Sequence, residues 1–237
     1  MAQSSRNKPG VEVFGENDSK MKATDVAFVM QNSFDKNKKV IIGAVVAVLV
    51  LVGGYFGYKY LVQAPGEEKA MKDLSYVQKW FEVDSVNTVL KGDGQHASAL
   101  SVIKKHSGTK AANLAKYYAG ISYLKTGDVN NAIKYLSEFN GEGTVVANLA
   151  QGALGDAYMD AGKTDKGIES YKKAASNEND QYTSALYTFR AGLASEKAGK
   201  LEDAKKFYKE IKEKFPNTLQ ARDVDKYLAR LGEISID

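Results

Sequence analysis

Glycines recur in a fixed phase along the C-terminal part of this chain. Gly120, Gly155 and Gly192 stand 35 and 37 residues apart, and Gly127, Gly162 and Gly199 repeat that spacing seven residues later. A period of this length marks an array of small units, each unable to bury its apolar face alone and each stacked on its neighbours. Other positions keep the phase. Tyr123 matches Tyr158, with Ser195 in the third copy; Ala132 and Ala204 match, with Gly167 between them; Leu136, Tyr171 and Tyr208 align; Pro216 closes the last copy. The first glycine and the later small residue suit the close approach of two paired helices. The aromatics fill the space between pairs, and the second glycine ends the first helix in a left-handed turn.

The segments YYAGISYLKTGDVNNAIKYL, LGDAYMDAGKTDKGIESYKKA and AGLASEKAGKLEDAKKFYKEIKEKFPN resemble the tetratricopeptide repeat (TPR). Two departures stand out. The usual tryptophan near the start of each repeat is replaced by Lys116, Gln151 and Thr188, and the two-residue excess before the third repeat is expected to form a longer turn in SNENDQYTS. Upstream, residues 67–83 carry a helical stripe of Ala70, Met71, Leu74, Val77, Trp80 and Phe81. A loop with Gly92-Asp93-Gly94 and a short helix over 97–106 follow, together a degenerate first repeat. Residues 218–231, with Leu219, Val224, Tyr227, Leu228 and Leu231, are expected to cap the stack.

Residues 40–58 read VIIGAVVAVLVLVGGYFGY, without a charge. As a helix they extend roughly 28 Å, close to the ~30 Å core of a bilayer. Tyr55, Phe56, Tyr58 and Tyr60 gather at one end, and Lys36, Lys38 and Lys39 abut the other. A cleaved signal peptide has a shorter apolar run, and Pro65 after Val62-Gln63-Ala64 opposes cleavage. Within 20 residues, five lysines precede the run and three follow it. The N-terminus is therefore expected in the cytoplasm and the repeats across the membrane, in the periplasm of a bacterium. Gly53 and Gly57, like Gly43 and Ala47, would allow another membrane helix to approach.

The expected class is all-α: a single transmembrane helix, then a TPR α-solenoid of about three repeats with a degenerate first repeat and a C-terminal capping helix. The boundaries are a largely disordered cytoplasmic tail at 1–38, the membrane helix at 39–62, the repeat domain at 63–217 and the cap at 218–237. Within the tail, 24–37 could form a short helix with Val26, Val29, Met30 and Phe34 on one side. It would lie on the membrane, meet a partner, or simply lead into the span.

Little in the chain suggests catalysis. Without cysteine there is no disulfide, thiolate metal site or thiol nucleophile. The two histidines, His96 and His106, lack paired-ligand spacing, and neither Gly92-Asp93-Gly94 nor Gly141-Glu142-Gly143 continues into a phosphate-binding loop. Residues 63–237 hold 25 Lys and Arg against 24 Asp and Glu, so no electrostatic footprint for nucleic acid exists. No cofactor, metal, nucleic acid or small-molecule substrate is expected.

A TPR array offers a groove lined mainly by the first helix of each pair. By position in the repeat, its residues should be Leu114, Tyr117, Ile121 and Leu124, then Asp156, Met159 and Asp160, then Leu186, Phe189, Leu193 and Glu196. Such an apolar face suits a peptide or unfolded segment. Tyr117 and Ile121 stand where carboxylate-clamping TPR proteins use Lys and Asn, which argues against that mode.

The whole layout resembles the ancillary subunit family of the bacterial Sec translocon, with FDKNKKVIIG and YFGYKYL as its membrane signature and GTKAANLAKYYAGISYL similar to tetratricopeptide proteins of Bacteroidetes. The resemblance implies a non-enzymatic inner-membrane scaffold. Its partners would be translocon subunits, periplasmic chaperones or exported polypeptides. The alternative is a structural adaptor in a cell-envelope assembly, in outer-membrane biogenesis or secretion.

Overall fold

The computed structural model describes residues 23–59, 64–142, 144, 146–177 and 180–233, with the backbone alone for 23–36, 58, 64 and 65. The expected disordered segment before residue 23, and Tyr60 at the end of the span, lie outside the described residues. The chain forms two compact units, Met1–Lys59 and Tyr60–Asp237.

In the first unit, helix α1 (Ala23–Tyr58) runs unbroken for 36 residues. The short helix expected at 24–37 and the apolar run are therefore one element. Its stretch Asn37–Gly57 is long and apolar enough to cross a membrane, and none of it is buried. A row of valines and leucines stands open, Leu51 at 73% and Val40 at 72%. Exposure on that scale is costly in water and costless in hydrocarbon.

The second unit is all-helical in its described residues. It comprises α2 (Ala64–Glu82), α3 (Val86–Lys91), α4 (Ala99–Lys105), α5 (Lys110–Lys125), α6 (Val129–Ser137), α7 (Ala147–Asp160), α8 (Thr164–Ala174), α9 (Gln181–Lys197), α10 (Leu201–Lys214) and α11 (Leu219–Arg230). Helices α5/α6, α7/α8 and α9/α10 are the three repeats. Each second helix packs on its own first helix, and α6 and α8 also pack on the first helix of the next repeat. The phased glycines explain the pairing. An added Cβ on Gly120 would meet Leu136, on Gly155 the Tyr171 ring and on Gly192 the Tyr208 ring, so only a bare backbone admits these side chains. Gly127, Gly162 and Gly199 have φ of 79°, 70° and 73°, the left-handed turn that closes each first helix.

The ends of the stack are built differently. In the degenerate repeat, α2 takes the place of a first helix and α4 that of a second, with α3 inserted between them. Helix α3 is unforeseen in the sequence because six residues, VNTVLK, are too few to show a period. At the other end α11 buries Val224 and Leu228 against Tyr208, Ile211 and Phe215. The extra two residues of the third repeat lengthen helices rather than a turn: α9 opens at Gln181, eleven residues before Gly192, whereas α7 opens eight before Gly155.

Candidate binding groove

Four positions of the first helices decide what the array presents. The first is a leucine in every repeat: Leu114 and Leu186, both half-buried, and Leu149, which is 43% exposed. Leu149 is absent from the groove residues expected from the sequence, although it lies 35 residues after Leu114 and 37 before Leu186. The phase alone could have found it.

The next position points into the stack. Tyr117 is buried among Phe81, Tyr118 and Phe139, with ring centroids 5.5 to 6.3 Å away. Burial raises the pKa of its phenol. Its counterpart in α7 is Gly152, over which the Tyr187 ring lies. In α9 it is Phe189, half-buried against Tyr208 and edge-on to Tyr227 at 4.9 Å. These aromatics hold neighbouring helices together.

Two of the three predicted acids are engaged by the protein itself. Asp156 accepts hydrogen bonds from the Tyr171 hydroxyl at 2.6 Å and from Arg190 at 2.5 and 2.6 Å. Glu196 accepts from the Tyr208 hydroxyl at 2.9 Å and from Arg230 at 2.7 Å. Each set joins a carboxylate on a first helix, a tyrosine on its own second helix and an arginine on the next element, α9 or α11. Burial, then the adjacent carboxylate, pushes the Tyr171 and Tyr208 phenols well above the ordinary tyrosine range. Burial disfavours the Arg190 cation, but Asp156 more than offsets this and raises its pKa. Of the remaining predicted residues, Met159 lays its thioether against Gly167, Ile121 and Leu124 are half-buried, and Asp160 and Leu193 are exposed.

A large concavity, about 1260 Å³, lies toward the first end of the unit, between α2, the start of α5 and the α6–α7 connector. Leu114 is the predicted residue that lines it. Met71, Ile103, Tyr118 and Val146 give it further apolar wall, while Glu67, Lys110, Lys116, Glu138 and Glu142 bring both signs of charge. Its walls are fixed by three ties. The Glu67 carboxylate accepts the Lys110 and Ala111 N–H groups, both at 2.9 Å, and so occupies the N-terminus of α5. His106 Nε2 lies 2.9 Å from Asp73, joining the end of α4 to α2. Asn113 reads the backbone of Asn140 twice, donating to its carbonyl at 2.8 Å and accepting from its N–H at 2.9 Å, which pins the connector to α5. A wide, mixed-polarity cleft on rigid helices suits a polypeptide better than a small metabolite. Among the described residues no cluster of three metal-ligating side chains occurs.

Stacked helix pairs closed by left-handed glycines and ended by a capping helix define a tetratricopeptide-type repeat protein, a class of protein-interaction scaffold that is generally non-catalytic. The chain belongs to the tetratricopeptide repeat-like domain family, whose profile matches residues 32–228. A crystal structure of nearly identical TPR-like repeats from a Podosopora anserina protein described as a kinesin light chain superposes with a TM-score of 0.52 at 13% identity, covering 70% of this chain and 85% of that one. At that identity the likeness concerns the fold alone. No curated protein matches the sequence.

Proposed function

We propose that this protein is a single-pass membrane-anchored scaffold that holds a polypeptide or a chaperone beside the Sec translocon, its repeats on the periplasmic side of a bacterial inner membrane. The observation that carries the reading is the combination of α1, apolar and open over Asn37–Gly57, with the cleft of about 1260 Å³ in the repeat unit. The family match begins at residue 32, ahead of the apolar stretch, so that stretch lies within the matched region, which supports the reading. The lysines before the span support the orientation, and FDKNKKVIIG and YFGYKYL support the translocon family. Gly53 and Gly57 have open space beside them and would let a membrane helix of the partner approach.

The buried aromatics and the paired acids shift the contact surface toward Met71, Leu114 and Leu149. Photo-crosslinkers at Met71 and Leu114 in cells should capture translocon subunits together with a mixture of exported chains. Capture of one stoichiometric envelope protein would favour the fixed adaptor instead, and capture of neither would reject the groove. Orientation is tested with Ser4→Cys and Ser235→Cys and an impermeant maleimide. Labelling of Ser4→Cys alone in intact cells would overturn it.

A further inference from the structure

A separate site lies among α8, α9 and α10 and stands independently of the groove reading. Its origin is a pair of positions twelve residues apart in each repeat. In the first repeat both hold tyrosine, and the rings of Tyr123 and Tyr135 stack with centroids 5.6 Å apart and planes 6° from parallel. In the second, Tyr158 keeps its ring while Ser170 replaces the other, and the Lys166 ammonium sits 5.7 Å from the Tyr158 ring centroid. In the third the exchange is reversed: Phe207 is kept, and Ser195 stands where the first ring should be.

A cleft of about 390 Å³ adjoins that missing ring, lined by Ser195, Ile168 and Phe207 beneath a charged rim. An apolar cavity of about 150 Å³ already admits benzene, so one aromatic ring has ample room. Ser195 lies beneath the cleft, fully buried, and its hydroxyl has no hydrogen-bond partner among the described residues, so the small side chain adds no polar contact there. Most of the rim charge is spent internally. Lys200 pairs with Asp165 at 2.6 Å, Lys206 with Asp203 at 3.7 Å and Glu210 with Lys214 at 3.1 Å. Lys172 is the exception: exposed at the rim, it makes no ion pair among the described residues. With Phe207 it also borders an adjoining hollow of about 170 Å³, which gives an entering chain room to continue.

We propose that this cleft binds an aromatic side chain of a partner polypeptide, its ring stacking on Phe207 as Tyr123 stacks on Tyr135, and a neighbouring carboxylate pairing with Lys172. The first repeat supplies the template for the stack, and the unpaired ammonium supplies the preference for an acidic neighbour.

The test uses the full chain in lipid nanodiscs and fluorine NMR of N-acetyl-4-fluorophenylalanine, which carries both ring and carboxylate. Saturable broadening is expected, unaffected by N-acetylalanine. The carboxamide of the same probe should bind about two- to five-fold more weakly, as an exposed ion pair allows. Phe207→Leu keeps the cleft but removes the stacking face, and should weaken binding roughly two- to ten-fold. Ser195→Tyr combined with Phe207→Ser recreates the pair found in the second repeat. It should abolish binding while the circular dichroism and melting temperature hold. Should that variant unfold, Phe207→Leu and Lys172→Gln decide the matter. A capped Gly-Phe-Glu-Gly peptide should bind at least as well as the single residue. Unsaturable broadening, undiminished binding by the filled variant, equal affinity of acid and carboxamide, or loss of binding on extension to the peptide would each overturn the proposal.

Discussion

The seam inside the first repeat and the seams inside the next two solve one packing problem with opposite chemistry. Opposite Gly120 stands Leu136, and the neighbouring position on α5 is Ile121, so that seam is dry. Opposite Gly155 and Gly192 stand Tyr171 and Tyr208, whose hydroxyls reach Asp156 and Glu196 and through them an arginine of the following element. A leucine fills volume and is indifferent to its partner's identity. A tyrosine bonded to a carboxylate that also binds an arginine specifies which helix comes next and in what register, though such polar links are weaker than their geometry suggests.

The comparison can be broken most directly at its dry end. Leu136 is 1% exposed, and Leu136→Ala should cost about 2–5 kcal/mol. The loss, measured by urea denaturation, should be the same at low and high salt. The polar seam is weaker. The Asp156 and Arg190 side chains are 35% and 38% exposed, so solvent screens them, and Asp156→Ala should cost only about 1–2 kcal/mol. A double-mutant cycle with Arg190→Ala should show coupling that shrinks with salt; additive losses would mean that the arginine contributes nothing to the seam.

Alkaline pH should separate the seams with a smaller effect. The Tyr171 and Tyr208 phenols are raised above their unfolded values, mainly by burial and then by the adjoining carboxylates. Their contribution is complete below the ordinary tyrosine value of about 10 and is lost as pH climbs past it. The melting temperature should therefore fall above about pH 10, and fall less steeply in the Tyr171→Phe, Tyr208→Phe double variant. Parallel profiles would contradict the assignment. The least effect concerns the turn before each second helix. Asp128 caps α6 by accepting the Asn131 N–H, whereas Lys163 holds nearly the same backbone angles before α8 without a side-chain cap. Lys163→Asp should stabilise the protein by about 0.5–1 kcal/mol, read as a higher urea midpoint.

These seams also explain what could be read from the chain. Gly127, Gly162 and Gly199 were legible because a left-handed turn admits few other residues, and each therefore carries its own structural meaning. Repeat position alone places Asp156 and Glu196 in the groove, because a carboxylate says nothing of its partners. Tyr171 lies 15 residues away and Arg190 lies 34 away, distances that only the stacked helices bring together. Tyr117 and Phe189 fell inward for a similar reason: ring direction depends on the space left by Phe81, Phe139 and Tyr227 in other elements. A repeat phase gives positions around a helix; which neighbour claims a side chain is a property of the assembled stack.

If α1 anchors the chain as proposed, Glu67 has a mechanical consequence. Any pull on α1 enters the repeat unit through residues 60–63 and reaches α2 first. Three residues beyond the start of α2, the Glu67 carboxylate grips the opening turn of α5, across more than forty residues of sequence. Load is thus passed early to a central helix of the stack instead of peeling α2 away from its N-terminal end. A strained tether would find its first resistance in two hydrogen bonds to a helix N-terminus.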